Sequence, residues 1–375
     1  MLASDLPETA SLLDLIGARH PASVTIVAPS SPIPADRRHA QLQLREGIDE
    51  AARQLAEAEV DDADRDAVLA SLRALLDDEE FWQSQSRSTV VLASPGRVEA
   101  FRLPSRLEAR ASVGDRFDAG QLLRAVSFPR RAFVVQVSRE GGRLSELGPD
   151  LGLTERRLEL PDDLWAALEH TTTEGQRDMP RPQGTTGDRI EREKFSRIIQ
   201  DAVVRVVPAD VPLILAASQD LEPAYRAVNT HRLLLERGID AHPDSLSSAD
   251  LEQAARDILD AHEQDELAQW RERFGSLRAQ GLATSSVREA AVAASTAAVD
   301  ELLFDLAFEQ EGVIDEAGHI TRAPDAGPST YAILDEIAAR VLGSGGRVRA
   351  VRSTDLPDGA PVAAVLRFPL PADLA

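Results

Sequence analysis

Between Arg177 and Arg197 six basic side chains (Arg177, Arg181, Arg189, Arg192, Lys194 and Arg197) stand against four acidic ones (Asp178, Asp188, Glu191 and Glu193), so this stretch is net positive in a chain of formal charge -22. Lys194 is the single lysine of the protein. Cations clustered in this way can contact phosphate locally, even where the chain as a whole repels it. The plainer alternative is a salt-bridged, solvated helix surface, the usual meaning of such a charge mixture. Just ahead lies Glu174-Gly175-Gln176, inside a Thr-, Gly- and Pro-rich segment from His170 to Asp188 that cannot pack as a regular element. A Gly-Gln pair alone carries little weight. With 22 Gly and 16 Gln, about one such pair is expected by chance, and a second occurs at Gly120-Gln121. The difference is context: the first pair falls in an irregular loop that leads into a partly basic helix.

Other chemistries lack their residues. No cysteine is present, which removes disulfides, a thiol nucleophile and sulfur-ligated zinc. The only lysine precedes Phe195 rather than Ser or Thr, so there is no phosphate-cradling Gly-x-x-x-x-Gly-Lys-Ser/Thr loop, and no Gly-x-Ser-x-Gly elbow appears. Seven histidines are scattered without a His-x-x-x-His pair, and the one Glu-x-x-His, Glu316 to His319, falls in an expected turn. The acidic groups Asp61-Asp62-Asp64 and Asp77-Asp78-Glu79-Glu80 read as a helix start and a polar helix end. Neither a metal nor a cofactor is expected.

At 375 residues the chain exceeds the roughly 250 to 300 residues at which one core stops growing, so at least two domains are expected, and 43% apolar residues can fill them. No apolar run approaches the roughly 18 residues of a membrane span, and acids rather than a basic segment precede the first apolar stretch. These features suggest a cytoplasmic protein with no membrane partner; they leave the oligomeric state open.

The elements around the loop follow from periodicity. A short helix at 11–16 precedes a β-branched strand at 22–28 that Pro29 ends. Two acidic amphipathic helices, 38–56 and 61–76, lead to a hairpin of strands 89–93 and 97–102. A second unit opens with a strand at 132–137, turns at Gly141-Gly142, returns through 143–147 and adds a strand at 156–160. A short helix at 161–169 leads into the loop. A helix at 190–206, with Ile190, Phe195, Ile198, Ile199, Ala202 and Val206 inward, follows it; next come a strand at 213–217 and a helical stretch at 222–237. Ser247 and Asp250 form a capping-box variant at the head of a long helix that Gly281 stops, and Ser286 with Glu289 caps the next. A strand at 301–308, a turn at 315–318, a helix at 331–342 closed by Gly343, and strands at 347–352 and 362–368 complete the chain. The expectation is α/β with mixed sheets, in three consecutive domains at 1–125, 126–246 and 247–375.

Four segments carry a resemblance. They are Leu75 to Ser86 (LLDDEEFWQSQS), Val113 to Phe117 (VGDRF), Tyr225 to Thr230 (YRAVNT) with Gly238-Ile239 and His242-Pro243-Asp244 after it, and Gly359 to Phe368 (GAPVAAVLRF). Together they resemble the bacterial branch of the archaeo-eukaryotic peptide-release-factor superfamily, which includes Pelota. The resemblance implies a ribonuclease-H-like middle domain and a C-terminal domain like those of ribosomal kink-turn-binding proteins. It also implies that the 170–188 loop occupies the place of the release factors' Gly-Gly-Gln loop, where the Gln backbone amide helps orient water on the peptidyl-tRNA ester. Gly175 and Gln176 match that motif as its catalytic residues. Glu174 departs from it, and a carboxylate among RNA phosphates is electrostatically unfavourable.

The superfamily's codon-reading Asn-Ile-Lys-Ser has no counterpart here, and the strand 132–137 lacks the acid a two-metal nuclease would need. The first reading is a ribosome-associated release-factor-like protein, for rescue or stress, without stop-codon decoding. In it the region 170–197 meets the ribosome, rRNA or tRNA, with Arg177, Arg181, Arg189, Arg192 and Lys194 on phosphates. The second is a non-catalytic interaction module that keeps the folds and meets a basic protein partner through acidic faces.

Overall fold

In the computed structural model the described residues are 5–127, 131–148, 152–161, 185–240, 245–324, 327 and 330–370, with side chains described from 189 onward in the fourth stretch. Contacts divide the chain into two units, Met1–Pro129 with Leu267–Ala375, and Arg130–Glu266.

The first unit opens with α1 (Thr9–Gly17), β1 (Ser23–Pro29), α2 (Arg37–Glu57), α3 (Asp62–Leu76), a short α4 (Glu79–Gln83), β2 (Ser88–Ser94), β3 (Arg97–Leu103), β4 (Arg110–Gly114) and α5 (Gly120–Ser127). The sheet order is β3-β2-β1-β4, antiparallel throughout. Alternation along β1 splits its side chains between two cores. Val24, Ile26 and Ala28 meet Leu44, Ile48 and Leu55 of α2 and Leu72 of α3, while Val27 joins the cluster of Leu12, Leu15, Leu122 and Leu123.

Asp61 caps α3 by accepting from Ala63 N at 2.9 Å. The second acidic group is not merely a polar helix end: Asp78 accepts from Phe81 N at 3.0 Å and starts α4, which buries Phe81 and Trp82. Sequence patterning predicts neither β4 nor α5. Arg110-Ala-Ser-Val-Gly is too polar and short to register as a strand, yet at the sheet edge only Val113 is buried.

The second unit contains β5 (Ala132–Ser138), β6 (Gly141–Gly148), β7 (Gly152–Arg156), α6 (Thr185–Val206), β8 (Leu213–Ala217), α7 (Glu222–Val228) and the first part of α8 (Ser248–Arg278). Its sheet order is β7-β6-β5-β8; the first three strands are antiparallel and β8 lies parallel to β5. This is the ribonuclease-H-like order. Bridges at Leu213–Leu234 and Ala216–Ile239 extend it beyond β8.

Three expectations shift here. The hairpin turn is Arg139-Glu140, because Ser138 already pairs with Gly141. The third strand lies at 152–156 rather than 156–160, since Leu158 and Leu160 leave the ladder to pack on the core of Phe133, Phe195 and Leu215. The helix expected over 222–237 stops at Val228. Beyond it the chain lies along β8, with Leu235 N on Leu213 O and Ile239 N on Leu215 O, so sheet hydrogen bonds displace helical ones. The short helix expected at 161–169 lies outside the described residues apart from Pro161.

The rest of the first unit is the second part of α8, β9 (Ala283–Thr284), α9 (Val287–Ser295), β10 (Val299–Asp305), β11 (Glu311–Ile314), β12 (Ile320–Arg322), β13 (Tyr331–Ala332), α10 (Ile333–Gly343), β14 (Arg347–Val351) and β15 (Val362–Leu366). The main sheet, β14-β10-β15-β9, is mixed, and β12-β11-β13 is a small second one. Both serine caps form, Asp250 N donating to Ser247 Oγ at 3.2 Å and Glu289 N to Ser286 Oγ at 3.3 Å, but the acids do not return the bond to the serine backbone: Asp250 accepts from Ser247 Oγ, and Ser286 N and Glu289 both meet the Thr284 hydroxyl. The helix expected from Tyr331 begins at Ile333, after Tyr331 pairs with Gly312. Its stop is Gly345, at φ 75°, rather than Gly343, which still belongs to the helix.

Arg124 ties α5 to α10. Its Nε donates to Asp335 at 3.1 Å, and its NH groups donate to the carbonyls of Leu306 and Phe308. Burial pushes the Asp335 carboxyl up to about 6, Arg124 opposes that rise, and Asp118 and Glu309 add to it. A raised carboxyl binds more protons in the native than in the unfolded chain, so its share of stability is full below the ordinary value of 3.8 and is lost as pH rises through 6. Asp335→Asn should therefore gain stability relative to wild type between about pH 4 and pH 7, each tenfold difference in proton affinity between the native and unfolded chain being worth roughly 1.4 kcal/mol. Chemical denaturation at several pH values measures this, and a difference that stays flat with pH contradicts it.

Candidate nucleic-acid interface

The sequence-derived site meets the structure only in part. Gly175, Gln176, Arg177 and Arg181 lie outside the described residues. Arg189, Arg192 and Lys194 all fall on α6, which starts five residues earlier than periodicity suggests.

The inward face of α6 is set by Phe195, Ile199, Ala202 and Val203, with Ser196 and Gln200 also fully buried. Ile190 and Val206, expected inward, are instead 38% and 37% exposed. A 3.6-residue period centred on Phe195, Ile199 and Val203 turns Ile190 away from the sheet, whereas Val206 lies on the inward side and is exposed as the last residue of the helix. The same period puts Lys194, Arg197, Asp201 and Arg205 on the outer face, where all four are exposed.

The cations of α6 differ in what holds them. Arg189 Nε reaches Glu193 at 2.7 Å, one turn along the helix. Arg192 approaches Asp220 at 3.9 Å, and Arg139 contacts the same carboxylate at 3.0 Å. The hydrogen bond from Ser218, then that from Arg139, holds Asp220 below the usual carboxylate range, so it stays charged. Lys194, Arg197 and Arg205 have no carboxylate partner among the described residues. Arg205 is missing from the sequence-derived site, although the 194, 197, 201, 205 spacing marks one helical stripe.

The Tyr-Arg-x-Val-Asn-Thr segment is structural. Tyr225 is fully enclosed, which pushes its phenol above the ordinary range. With its amide oriented to satisfy both ends, Gln200 of α6 donates to Tyr225 Oη at 2.5 Å and accepts from the N–H groups of Thr230 and His231 at 3.2 Å. Asn229 closes the turn by donating to His231 O at 2.9 Å and accepting from His231 N at 3.1 Å. The ring of His231 reaches Val211 O at 2.9 Å. Arg226 donates to the carbonyls of Leu235 and Glu236 at 3.0 and 2.8 Å. The network fixes both the connection after α7 and the rotation of α6.

The other singled-out groups also have structural partners. His319, of the Glu-x-x-His, donates its backbone N–H to Asp315 at 2.8 Å and contacts it through Nδ1 at 3.0 Å; those bonds lower the Asp315 carboxyl. Gly120, of the second Gly-Gln, faces Asp335, whose Oδ2 would lie 2.1 Å from an added Cβ.

Residues 129–265 match the model of bacterial archaeo-eukaryotic release factor family 11. That match, over a little more than a third of the chain, is to the bacterial branch of the archaeo-eukaryotic release factor superfamily. Similar solved structures include an archaeal translation termination factor, at 15% identity over 97% of this chain and 99% of that one with a TM-score of 0.25. Dom34 of S. cerevisiae, a translation termination-like factor, is 12% identical over 74% of this chain and 75% of its own, with a TM-score of 0.43. Archaeoglobus fulgidus Pelota is 11% identical over 97% and 93%, with a TM-score of 0.31. No curated protein matches the chain.

Because Asn229 holds a half-buried turn through two hydrogen bonds, Asn229→Ala should destabilise the second unit by about 1–3 kcal/mol and speed amide exchange over 231–239. Exposed Arg189→Ala should stay within about 0.5 kcal/mol of wild type. Hydrogen exchange with denaturant melts measures both, and unchanged exchange in Asn229→Ala contradicts the assignment.

Proposed function

We propose that this release-factor-like protein associates with the ribosome in rescue or stress and contacts rRNA or tRNA phosphates through the outer face of α6. The observation that carries this reading is the trio Lys194, Arg197 and Arg205. They are exposed, unpaired among the described residues, and lie in the family-matched segment of a chain with charge -22. Arg189 and Arg192 would join at closer range, exchanging a carboxylate partner for phosphate, and Arg177 and Arg181 would extend the contact toward Gly175 and Gln176.

Glu174 argues against hydrolysis of the peptidyl-tRNA ester: its charge would sit where RNA phosphates approach, and Coulomb repulsion there opposes docking. The absence of Asn-Ile-Lys-Ser argues against stop-codon decoding. The proposed setting is the cytoplasm. Among the described residues no helix is long and apolar enough to cross a membrane. The strongly acidic remainder of the surface supports a second reading, docking onto a basic protein partner without chemistry.

Co-sedimentation with ribosomes at low and moderate salt tests the proposal, paired with peptidyl-tRNA hydrolysis by wild type, Gln176→Ala and Glu174→Gly. Wild type should sediment with ribosomes, and neither it nor Gln176→Ala should hydrolyse the ester. Lys194→Glu with Arg197→Glu and Arg205→Glu should weaken binding at least tenfold, roughly 1.4 kcal/mol or more. Failure of wild type to bind at any salt refutes the ribosomal reading and favours the protein-partner one.

A further inference from the structure

At its last turn α6 borders an open groove of about 530 Å³. One wall is the end of the helix with the residues after it, Val204 to Ala209; the other is Thr230, His231 and Arg232. Both walls belong to the second unit, and the hydrogen bonds of the Tyr-Arg-x-Val-Asn-Thr segment join them. Gln200 of α6 accepts from the N–H groups of Thr230 and His231 at 3.2 Å. Asn229 bonds both the N–H and the carbonyl of His231, whose ring is held on Val211 O. The fold thus sets Arg232 opposite the end of α6, and the groove is preformed, as small binding sites usually are.

Its surface combines two features that folding does not call for. Val204 and Val206 are exposed, and Pro208 and Ala209 beside them are exposed as well. Arg205 and Arg232, one from each wall, are also exposed and have no hydrogen-bond or carboxylate partner among the described residues. No carboxylate lines the groove; Asp201 lies about a turn before it and Asp210 directly after Ala209. In a chain of charge -22, an acid-free groove with two unpaired guanidiniums favours an anion, and its apolar surface favours one with a face to bury.

We propose, resting on the phosphate contact proposed for the same helix, that this groove takes an unstacked nucleobase of single-stranded RNA. Arg205 is common to both: it ends the stripe that begins at Lys194, about 16 Å away along the helix axis, and it lines the groove. A strand whose phosphates lie on Lys194, Arg197 and Arg205 is led there. Its base packs on Val204, Val206 and Pro208, and the planar guanidinium of Arg232 stacks on the base's other face. An acidic peptide would satisfy the guanidiniums with its carboxylates and leave the valines in water; a nucleotide covers both.

Fluorescence anisotropy of the full chain with a labelled oligouridylate of about ten nucleotides tests this, against the same sugar–phosphate strand without bases and an oligoglutamate peptide of equal charge. At one salt concentration oligouridylate should bind about tenfold or more tighter than the abasic strand, the effect of a stacked base, and the peptide no tighter than the abasic strand. Val206→Ser and Arg232→Lys, the second keeping the charge and losing the planar fork, should each cut the preference for bases about threefold or more. Both positions are exposed, so the melting temperature should not move. Lys194→Gln with Arg197→Gln should weaken both strands together and leave the preference in place. Equal binding of the two strands, a preference untouched by Val206→Ser and Arg232→Lys, or tighter binding of the peptide would overturn the groove assignment. Unchanged binding of both strands in the Lys194 and Arg197 variant would instead overturn the phosphate contact, and failure of wild type to bind either strand at low salt would overturn both.

Discussion

The packing of Phe195, Ile199 and Val203 against Phe133, Val135, Leu213 and Leu215 decides where every other side chain of α6 points. Burying three such side chains is worth roughly 5–9 kcal/mol, at about 1.5–3 kcal/mol each. An exposed ion pair contributes about 1 kcal/mol at most, so charges do not choose the rotation of this helix. They follow from it. Once the inward stripe is fixed, Lys194, Arg197 and Arg205 have no direction but outward, and the buried hydrogen bonds of Gln200 to Tyr225 and the 230–231 backbone hold the helix against slipping.

Much of the framework could be read from the residues. Strands β1, β5 and β8 are continuous β-branched or apolar runs, and the caps at Ser247 and Ser286 stand where sequence placed them. What escaped was decided by contacts distant in the chain. β4 is a strand because β1 offers it an edge, and the end of α7 is set by carbonyls at 213 and 215 and by the Asn229 turn. Ile190 is apolar and fits a loosely drawn helical face whose true centre lies elsewhere, and Val206 lies on that face but at the helix end, where little packs on it. The Tyr-Arg-x-Val-Asn-Thr segment was legible as a signature; its hydrogen bonds show a structural purpose that spacing alone could not reveal.

The candidate site was legible as charge and not as geometry. Counting cations from 177 to 197 gives the basic stretch but cannot separate Arg189 and Arg192, which carboxylates already hold, from Lys194 and Arg197, which none does. Net charge -22 opposes broad binding to nucleic acid, but at physiological salt the field of distant carboxylates is screened over about 8 Å, so a local stripe acts on phosphate nearly alone. In the proposed contact, RNA is therefore met by a few residues and not by a basic face.

That claim has a direct measure, the salt dependence of ribosome affinity. Each cation that displaces counterions from structured RNA adds about 0.7–0.9 to the slope of log affinity against log salt. Replacing Lys194, Arg197 and Arg205 by Gln should lower the magnitude of that slope by roughly 2–3, while the same change at three exposed arginines of the first unit should leave it unaltered. An unchanged slope in the α6 variant would contradict the account.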